Sequence, residues 1–160
     1  MIFLKDEISS QENMEAWLSQ LGHPDNRISN RGLLEQLKPR FVSCDFEKRE
    51  ACIAFDVYDW ELNPGGSLHG GIIVAGFDIA CGLTCHYYAK QHMITTVNLT
   101  TTFLKPVLPG DTVNYHIKVT SLGRTLISLT AEARLSRGNI LAATASVTFM
   151  KLDRTFAIPI

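Results

Sequence analysis

Apolar and polar residues alternate in six segments of the chain, and this period indicates β-strands with one buried face. Two segments come early, at residues 41–46 and 51–58, and four follow the middle of the chain. Turn-forming residues separate the last four segments, at 109–111, 122–124 and 137–139. In the first of these four, Val97, Leu99 and Phe103 are expected to share one face. Because short turns join antiparallel neighbours, the pattern predicts an α+β fold with a six-stranded antiparallel sheet.

A long apolar helix is predicted between the two groups of strands, from Gly70 to about Tyr88. Between Leu62 and Ala89 the only Asp, Glu, Lys or Arg is Asp78. A helix that is apolar on nearly every side has to be enclosed, so we expect a curved sheet wrapped around it. Its length is close to a membrane span, but a central Asp costs about 2.5–3.5 kcal/mol on insertion scales. We therefore expect a buried helix and no membrane partner.

The amino-terminal part of the chain is polar and irregular. Apolar residues at helical spacing predict a short helix over 12–21, and a second one over 32–38 ends before Pro39. The sequence is accordingly divided into a helical extension, 1–38, and a main domain, 39–160. Only three apolar residues follow Met1 before charges appear, too few for the core of a signal peptide. We expect a cytoplasmic protein.

Composition and charge exclude several functional classes. Fifteen Lys and Arg stand against sixteen Asp and Glu, so the chain lacks the positive charge typical of nucleic-acid binding. No Cys or His pair has zinc-site spacing, and no metal is expected. Cys81 and Cys85 are expected to pack in the helix. Cys44 and Cys52 could face each other across a hairpin and form a disulfide, but a reducing cytoplasm favours free thiols.

Asp78 is the first candidate functional residue. An ionised carboxylate inside an apolar helix is costly unless something compensates it, and such acids concentrate at functional sites. The structural alternative is an acid hydrogen-bonded within the core, to Thr84 or to a threonine of a strand. We favour the functional interpretation.

The loop before the helix supplies the second candidate. Gly70 and Gly71 stand where the helix begins, and the first N–H groups of a helix suit an anion or a developing oxyanion. The side chain of Asn63 can add a donor. Gly70 and Asp78 are eight residues apart, about 12 Å along a helix, whereas catalytic contacts need about 3 Å. Either one group is idle, or the acid comes from a second copy of the chain.

These residues carry a family resemblance. The motif consists of Asn63, Gly66, Leu68, His69, Gly70 and Gly71, followed on the helix by Asp78. It resembles that of the hotdog-fold acyl-CoA thioesterases, most closely the phenylacetate-pathway type, over about residues 39–151. The resemblance implies a six-stranded sheet around one central helix and homodimers that pair into tetramers. It also implies sites at the dimer interface and no cofactor other than the coenzyme A of the substrate.

The resemblance also implies roles for single residues. The Gly70 N–H would polarise the thioester carbonyl with help from Asn63, and Asp78 of the partner would act as general base on water or as nucleophile. Thr96 matches the position of a hydroxyl that helps to place the water, although a strand threonine can also merely satisfy its own backbone. His69 is assigned to positioning the loop and the carbonyl.

Coenzyme A carries phosphates, so a basic edge is expected beside the site. The candidates are Lys105, Arg124 and Arg154, with Gly71 as a further substrate contact. The alternative for each cation is a solvated surface charge.

Two other functions on the same fold stay open. A non-catalytic acyl-CoA-binding or sensing module would gain nothing from an acid beside the thioester, so Asp78 favours an enzyme. A hydratase or dehydratase would need a different acid–base set. The partial match of Asp59, Asn63 and Pro64 to the hydratase motif Asp-x-Asn-Pro-x-His has the wrong Asp–Asn spacing, and His69 stands five residues after Pro64 rather than two.

Overall fold

The computed structural model describes residues 9–21 and 32–155. The residues from which a cytoplasmic location was expected, and the outer ends of both predicted segments 1–38 and 39–160, lie outside this part of the chain.

The core of the structure is one sheet of six antiparallel strands, in the order β1-β2-β4-β5-β6-β3. The strands are β1 (Arg40–Asp45), β2 (Glu50–Asp56), β3 (His92–Phe103), β4 (Thr112–Leu122), β5 (Leu126–Leu135) and β6 (Leu141–Thr155). The predicted α+β fold is confirmed. Strands β1 and β3 form the two edges of the sheet.

In the described ranges, three helices accompany the sheet: α1 (Gln11–Leu18), α2 (Gly32–Leu37) and α3 (Gly70–Ala89). A 3-10 turn, Asp59–Glu61, lies between β2 and α3. Helix α2 ends before Pro39, as the sequence predicts, and α1 is shorter than its predicted range. Helix α3 is long and apolar enough to cross a membrane by length and composition, and half of its most apolar window is buried inside the fold.

One face of α3 packs closely on the inner face of the sheet. The ring of Tyr115 on β4 lies edge-on to Phe77, with ring centroids 4.9 Å apart, and its hydroxyl donates to the Ile73 carbonyl at 3.2 Å. A Cβ on Gly76 would lie only 2.2 Å from the Tyr115 oxygen. Glycine at this position therefore sets how closely the helix approaches β4.

The sheet packs against α3 as expected, but within the single chain one side of the helix stays uncovered. Gly71 is exposed and Asp78 is only half-buried. The uncovered side of α3 adjoins the edge strand β3, where Val97 is 55% exposed and Phe103 is 53% exposed. The cause is topological: β3 is paired only with β6, so the sheet ends where it would have to continue to cover this side of the helix.

A β-bulge in β3 changes which residues face the helix. Thr96 pairs with Phe149 and Asn98 with Thr148, so Val97 is an extra residue without an opposite partner. Thr96 and Leu99 therefore share the inner face, although they stand three positions apart in the chain. The prediction that Val97 shares a face with Leu99 is wrong, because the alternation of strict strand pairing does not hold across a bulge.

The amino-terminal helix belongs to the same core as the sheet. Met14, Trp17 and Leu18 are buried among the residues of α3 and the strands. The side chain of Gln11 also covers the edge of β1. Its Nε2 donates to the Cys44 carbonyl at 3.0 Å, and its Oε1 accepts from the N–H of Phe46 at 2.8 Å. The β1 edge is thus partly covered, whereas β3 has no strand on its outer side in the described chain.

All four cysteines are free. Cys44 lies opposite Ala51 and Cys52 opposite Ser43, so the two side chains point to opposite faces of the sheet. The disulfide alternative for this pair is therefore excluded by the register.

Candidate active site

His69 organises the start of α3. It stands at the N-cap with extended backbone angles, and its Nδ1 accepts a hydrogen bond from the Gly71 N–H at 2.9 Å. Its carbonyl accepts from Ile72 and Ile73, and its own N–H donates to the Glu61 carbonyl at 2.9 Å. Through these contacts His69 joins the loop to the first turn of the helix, and its role in positioning the carbonyl stays a prediction.

At this end of the helix, the backbone N–H of Gly70 is available to an acceptor from outside the chain. The Gly71 N–H is used by the His69 ring, whereas the Gly70 N–H has no acceptor among the described residues. A Cβ on Gly70 would lie 3.4 Å from the Phe103 ring, so an added side chain would point toward this ring. A hydrogen-bond donor without an intrachain acceptor, at the positive end of a helix dipole, suits a developing oxyanion.

An open groove of about 330 Å³ lies beside Gly70. Its walls include Leu68, Ile73, Phe103, Leu104, Lys105 and Val107. The wall is mostly apolar, with one exposed cation, Lys105. The structure thus brings the predicted phosphate-binding Lys105 to the same groove as Gly70.

Asn63 is engaged in its own turn. Its Oδ1 accepts from the N–H groups of Gly65 at 2.9 Å and Ser67 at 3.3 Å, and its Nδ2 donates to the Ser67 hydroxyl at 3.0 Å. Gly66 in the same turn has φ +79°, a conformation that L side chains rarely adopt. These contacts give Asn63 a role in shaping the loop before the helix, and the structure records no contact between its side chain and Gly70.

Asp78 and Thr96 lie in direct contact. The Thr96 hydroxyl donates to Asp78 Oδ1 at 2.7 Å. The bulge at Val97 allows this contact, because it leaves Thr96 on the face that looks toward α3. Thr84 does not bind the carboxyl group, since its hydroxyl donates to the Ala80 carbonyl at 3.0 Å.

Within one chain, the predicted site residues form two separate groups. Gly70 and Lys105 line the groove at the start of α3. Asp78 and Thr96 lie two helical turns further along, about 12 Å away at 1.5 Å per residue. A group bound at the Gly70 amide is therefore beyond the reach of Asp78 in the same chain.

Arg124 and Arg154 are exposed and lie at the opposite end of the sheet from Gly70. Arg124 is in the β4–β5 turn, where the Thr125 carbonyl accepts from the Lys151 N–H. Arg154 neighbours the pair formed by His92 and Thr155. Phe103, the neighbour of Gly70, is at the other end of β3. One chain thus holds only Lys105 of the predicted basic residues near the groove.

The outer face of the sheet carries a cysteine–histidine pair. Cys52 Sγ and His116 Nε2 are 3.9 Å apart across neighbouring strands. Burial raises the pKa of the Cys52 thiol to about 11. The thiol is therefore protonated at neutral pH, and this pair lacks the thiolate that a cysteine nucleophile needs.

Two residues that shape the site were missed by the sequence analysis. Phe103 forms the wall opposite Gly70, and its position on a predicted strand gave no sign of exposure. Glu61 is 3% exposed, and burial raises the pKa of its carboxyl group against the opposing hydrogen bond from Tyr58. The available signal was an acid between Trp60 and Leu62, just before the motif that starts at Asn63.

Comparison with known proteins gives the class of the protein. Residues 65–148 match the family model of the thioesterase superfamily. A Pseudomonas aeruginosa protein that carries the name of an esterase is 32% identical over 119 residues, which cover 73% of this chain and 86% of that protein. The chain therefore belongs to the thioesterase superfamily.

Solved structures show the same architecture. The E. coli PaaI protein from the phenylacetic acid degradation operon is 20% identical, with a TM-score of 0.74, and the match covers 92% of this chain and 99% of that one. An acyl-CoA hydrolase from Staphylococcus aureus, solved with butyryl coenzyme A and coenzyme A, is 24% identical, with a TM-score of 0.58 and coverages of 67% and 65%. The fold is the hotdog fold. The protein is a thioesterase, and the predicted family and enzyme class are confirmed.

Proposed function

We propose that this thioesterase hydrolyses acyl-CoA thioesters to the free acid and coenzyme A. The Staphylococcus aureus hydrolase with the same fold was solved with butyryl coenzyme A, which supports this substrate class. The observation that carries the proposal is the pairing of two features on one helix: an unpaired amide at Gly70 and a carboxylate at Asp78 held by Thr96. Acyl transfer to water needs both an oxyanion donor and an acid–base group.

The active site is shared between two copies of the chain. Gly70 and Asp78 are too far apart to act on one carbonyl within a chain, and the uncovered side of α3 runs beside the open edge of β3. A twofold pairing of two β3 edges covers that side and produces two equivalent sites. Each site combines the groove and Gly70 of one copy with Asp78 and Thr96 of the other.

In the proposed reaction the thioester carbonyl oxygen accepts a hydrogen bond from the Gly70 N–H. Asp78 of the other copy either takes a proton from an attacking water or attacks the carbonyl carbon itself to give a mixed anhydride that water then hydrolyses. The Thr96 hydroxyl holds the carboxylate. In either route the C–S bond breaks and coenzyme A leaves as the thiolate.

The other predicted residues support this reaction. His69 and Gly71 fix the helix start, Asn63 shapes the preceding loop, and Lys105 attracts the phosphate-bearing part of the substrate. Arg124 and Arg154 reach the coenzyme A only if the partner copy supplies them, because in the same chain they lie at the far end of the sheet.

The test is release of free thiol from a panel of aryl, short-chain and long-chain acyl-CoA esters. We expect wild type to release thiol and Asp78→Asn to lose about 10²–10⁴-fold in kcat, the range of general acid–base catalysis. The matched control is Asp45→Asn, at the end of β1 and at the opposite edge of the sheet from β3; its carboxylate pairs with Lys48 of the β1–β2 turn. An unchanged rate in Asp78→Asn removes Asp78 from the mechanism. Binding of every ester without release favours a non-catalytic acyl-CoA-binding module.

A further inference from the structure

Glu61 is an acidic residue whose buried surroundings stabilise a negative charge poorly. Its side chain is 3% exposed, and it ends the 3-10 turn that starts at Asp59. Oε2 accepts a hydrogen bond from the Tyr58 N–H at 2.9 Å. Oε1 is buried and has no hydrogen-bond partner among the described residues. A buried carboxyl oxygen without a partner costs stability, so packing alone does not account for this residue.

The surroundings of the Glu61 carboxyl group are mainly apolar. It borders a cavity of about 10 Å³ on the side of α3 away from Asp78. The cavity is also lined by Leu37, Phe55, Leu68, Ile72, Gly76 and Tyr115. The titratable groups that face it are Asp56 from β2 and Tyr115 from β4, whereas α2 and α3 contribute only uncharged residues. Among the residues that the structure describes, no cation lines this cavity to stabilise the ionised form.

The main chain of Glu61 holds the loop that leads to Gly70. Its carbonyl accepts the His69 N–H at 2.9 Å. The next residue, Leu62, forms an isolated β-bridge with Leu68. Both ends of the loop are therefore joined at Glu61, and a shift of the 3-10 turn moves the residue immediately before Gly70.

We propose that Glu61 is the positioning residue of the Gly70 amide. Its side chain fixes the 3-10 turn through the Tyr58 N–H, and its carbonyl fixes His69, whose ring and carbonyl order the first turn of α3. An apolar side chain of similar size fills the same space but leaves the Tyr58 N–H unpaired and frees the turn. The inference rests on the proposed role of Gly70 as the oxyanion donor.

Three substitutions separate positioning from packing. Glu61→Gln keeps an oxygen acceptor at the same reach, Glu61→Asp withdraws it by one methylene, and Glu61→Leu removes it. We expect kcat to fall by about 10²-fold in the Asp and Leu variants, the cost of a misplacement of about 1 Å, with less than threefold change in KM. The Gln variant is expected to keep kcat within about threefold. Glu132→Leu, a substitution on the outer face of the sheet, is the control.

A second measurement does not depend on activity. Hydrogen exchange of the His69 and Gly71 amides, followed by NMR on the full chain, is expected to be at least tenfold faster in Glu61→Asp than in wild type and unchanged in Glu61→Gln. The proposal is overturned if Glu61→Asp folds and keeps both kcat and amide protection. It is also overturned if kcat and amide protection fall as far in Glu61→Gln as in Glu61→Asp. If wild type hydrolyses no acyl-CoA ester, the proposed function fails while the exchange data still decide whether Glu61 holds the loop.

Discussion

The hydroxyl of Thr96 donates to Oδ1 of Asp78 at 2.7 Å, across the space between strand β3 and helix α3. This contact exists because Val97 is an extra residue in the strand and leaves Thr96 facing the helix. It fixes the orientation of the half-buried acid in the described chain.

Loss of this hydrogen bond is expected to affect catalysis more than stability. Thr96→Val keeps the shape of the side chain but removes the donor, and a hydrogen bond to a charged group contributes about 1.5–3 kcal/mol. We expect kcat to fall about 10- to 100-fold, with Tm within a few degrees of wild type because Thr96 is exposed. Steady-state kinetics and thermal unfolding measure the two effects. Thr96→Ser keeps the hydroxyl and should retain most activity; equal losses in both variants would contradict the assigned contact.

Two glycines of α3 offer a matched test of helix packing. A Cβ on Gly76 would lie 2.2 Å from the Tyr115 oxygen, whereas one on Gly82 would lie 3.7 Å from the Phe149 ring, an ordinary contact. We expect Gly76→Ala to destabilise the fold by about 1–3 kcal/mol through overpacking. Gly82→Ala should be neutral or stabilising by up to about 1 kcal/mol, since alanine favours helices. Urea unfolding of both variants decides the matter, and equal stabilities would show that α3 does not approach β4 so closely.

The buried acid predicts a pH dependence of stability. Burial raises the pKa of Glu61 above its ordinary value of 4.5, so the folded state holds the proton more strongly than the unfolded state. Below the pKa that Glu61 has in the unfolded state, the carboxyl group is protonated in both states, and its burial does not lower the free energy of unfolding. As the pH rises through the folded-state pKa, the free energy of unfolding decreases, in total by about 1.36 kcal/mol for each unit by which folding raises the pKa of Glu61.

Glu61→Gln removes this titration. The free energy of unfolding of the variant, relative to wild type, is therefore expected to increase as the pH rises above about 4.5 and to level off once the pH exceeds the folded-state pKa of Glu61. Urea unfolding at several pH values measures this difference. A difference independent of pH would mean that the Glu61 carboxyl group is not held in a desolvated environment.

The open edge of β3 can be tested against the covered edge of β1. Val97 and Val42 both lie at register shifts in edge strands, and they are 55% and 51% exposed. We expect Val97→Glu to place like charges across the proposed β3–β3 interface, shift the protein to monomers and reduce activity at least 100-fold, because each proposed site combines residues of both copies. Val42→Glu should leave both properties near wild type. Light scattering coupled to size-exclusion chromatography gives the mass, and a fully active Val97→Glu monomer would refute the shared site.

Much of the fold was predictable because its signals are local. Alternation identified the strands, short turns identified their antiparallel pairing, and the absence of charge from Leu62 to Ala89 apart from Asp78 identified the central helix. The bulge at Val97 was not predictable, because it depends on how β3 pairs with a strand some fifty residues away in the sequence. The open side of α3 was missed for a related reason, since only the strand order shows where the sheet ends.

The candidate site, like the fold, was predictable only in part. The motif placed His69 and Gly70 at the helix start, and the helix rise separated Gly70 from Asp78. The motif did not show that Asn63 is bound within its own turn, because that depends on the conformation of Gly66. Nor did it reveal the burial of Glu61, which results from α2, β2 and β4 meeting at one point.

The side chain of Gln11 has a consequence for how copies of this protein can associate. By occupying the Cys44 carbonyl and the Phe46 amide, it removes a place where a foreign strand could add to β1. In a sheet with one partly covered edge and one open edge, a second copy of the chain adds more readily to β3 than to β1. Two copies that pair through β3 would use up their open edges, and the partial cover of β1 then disfavours further growth by strand addition.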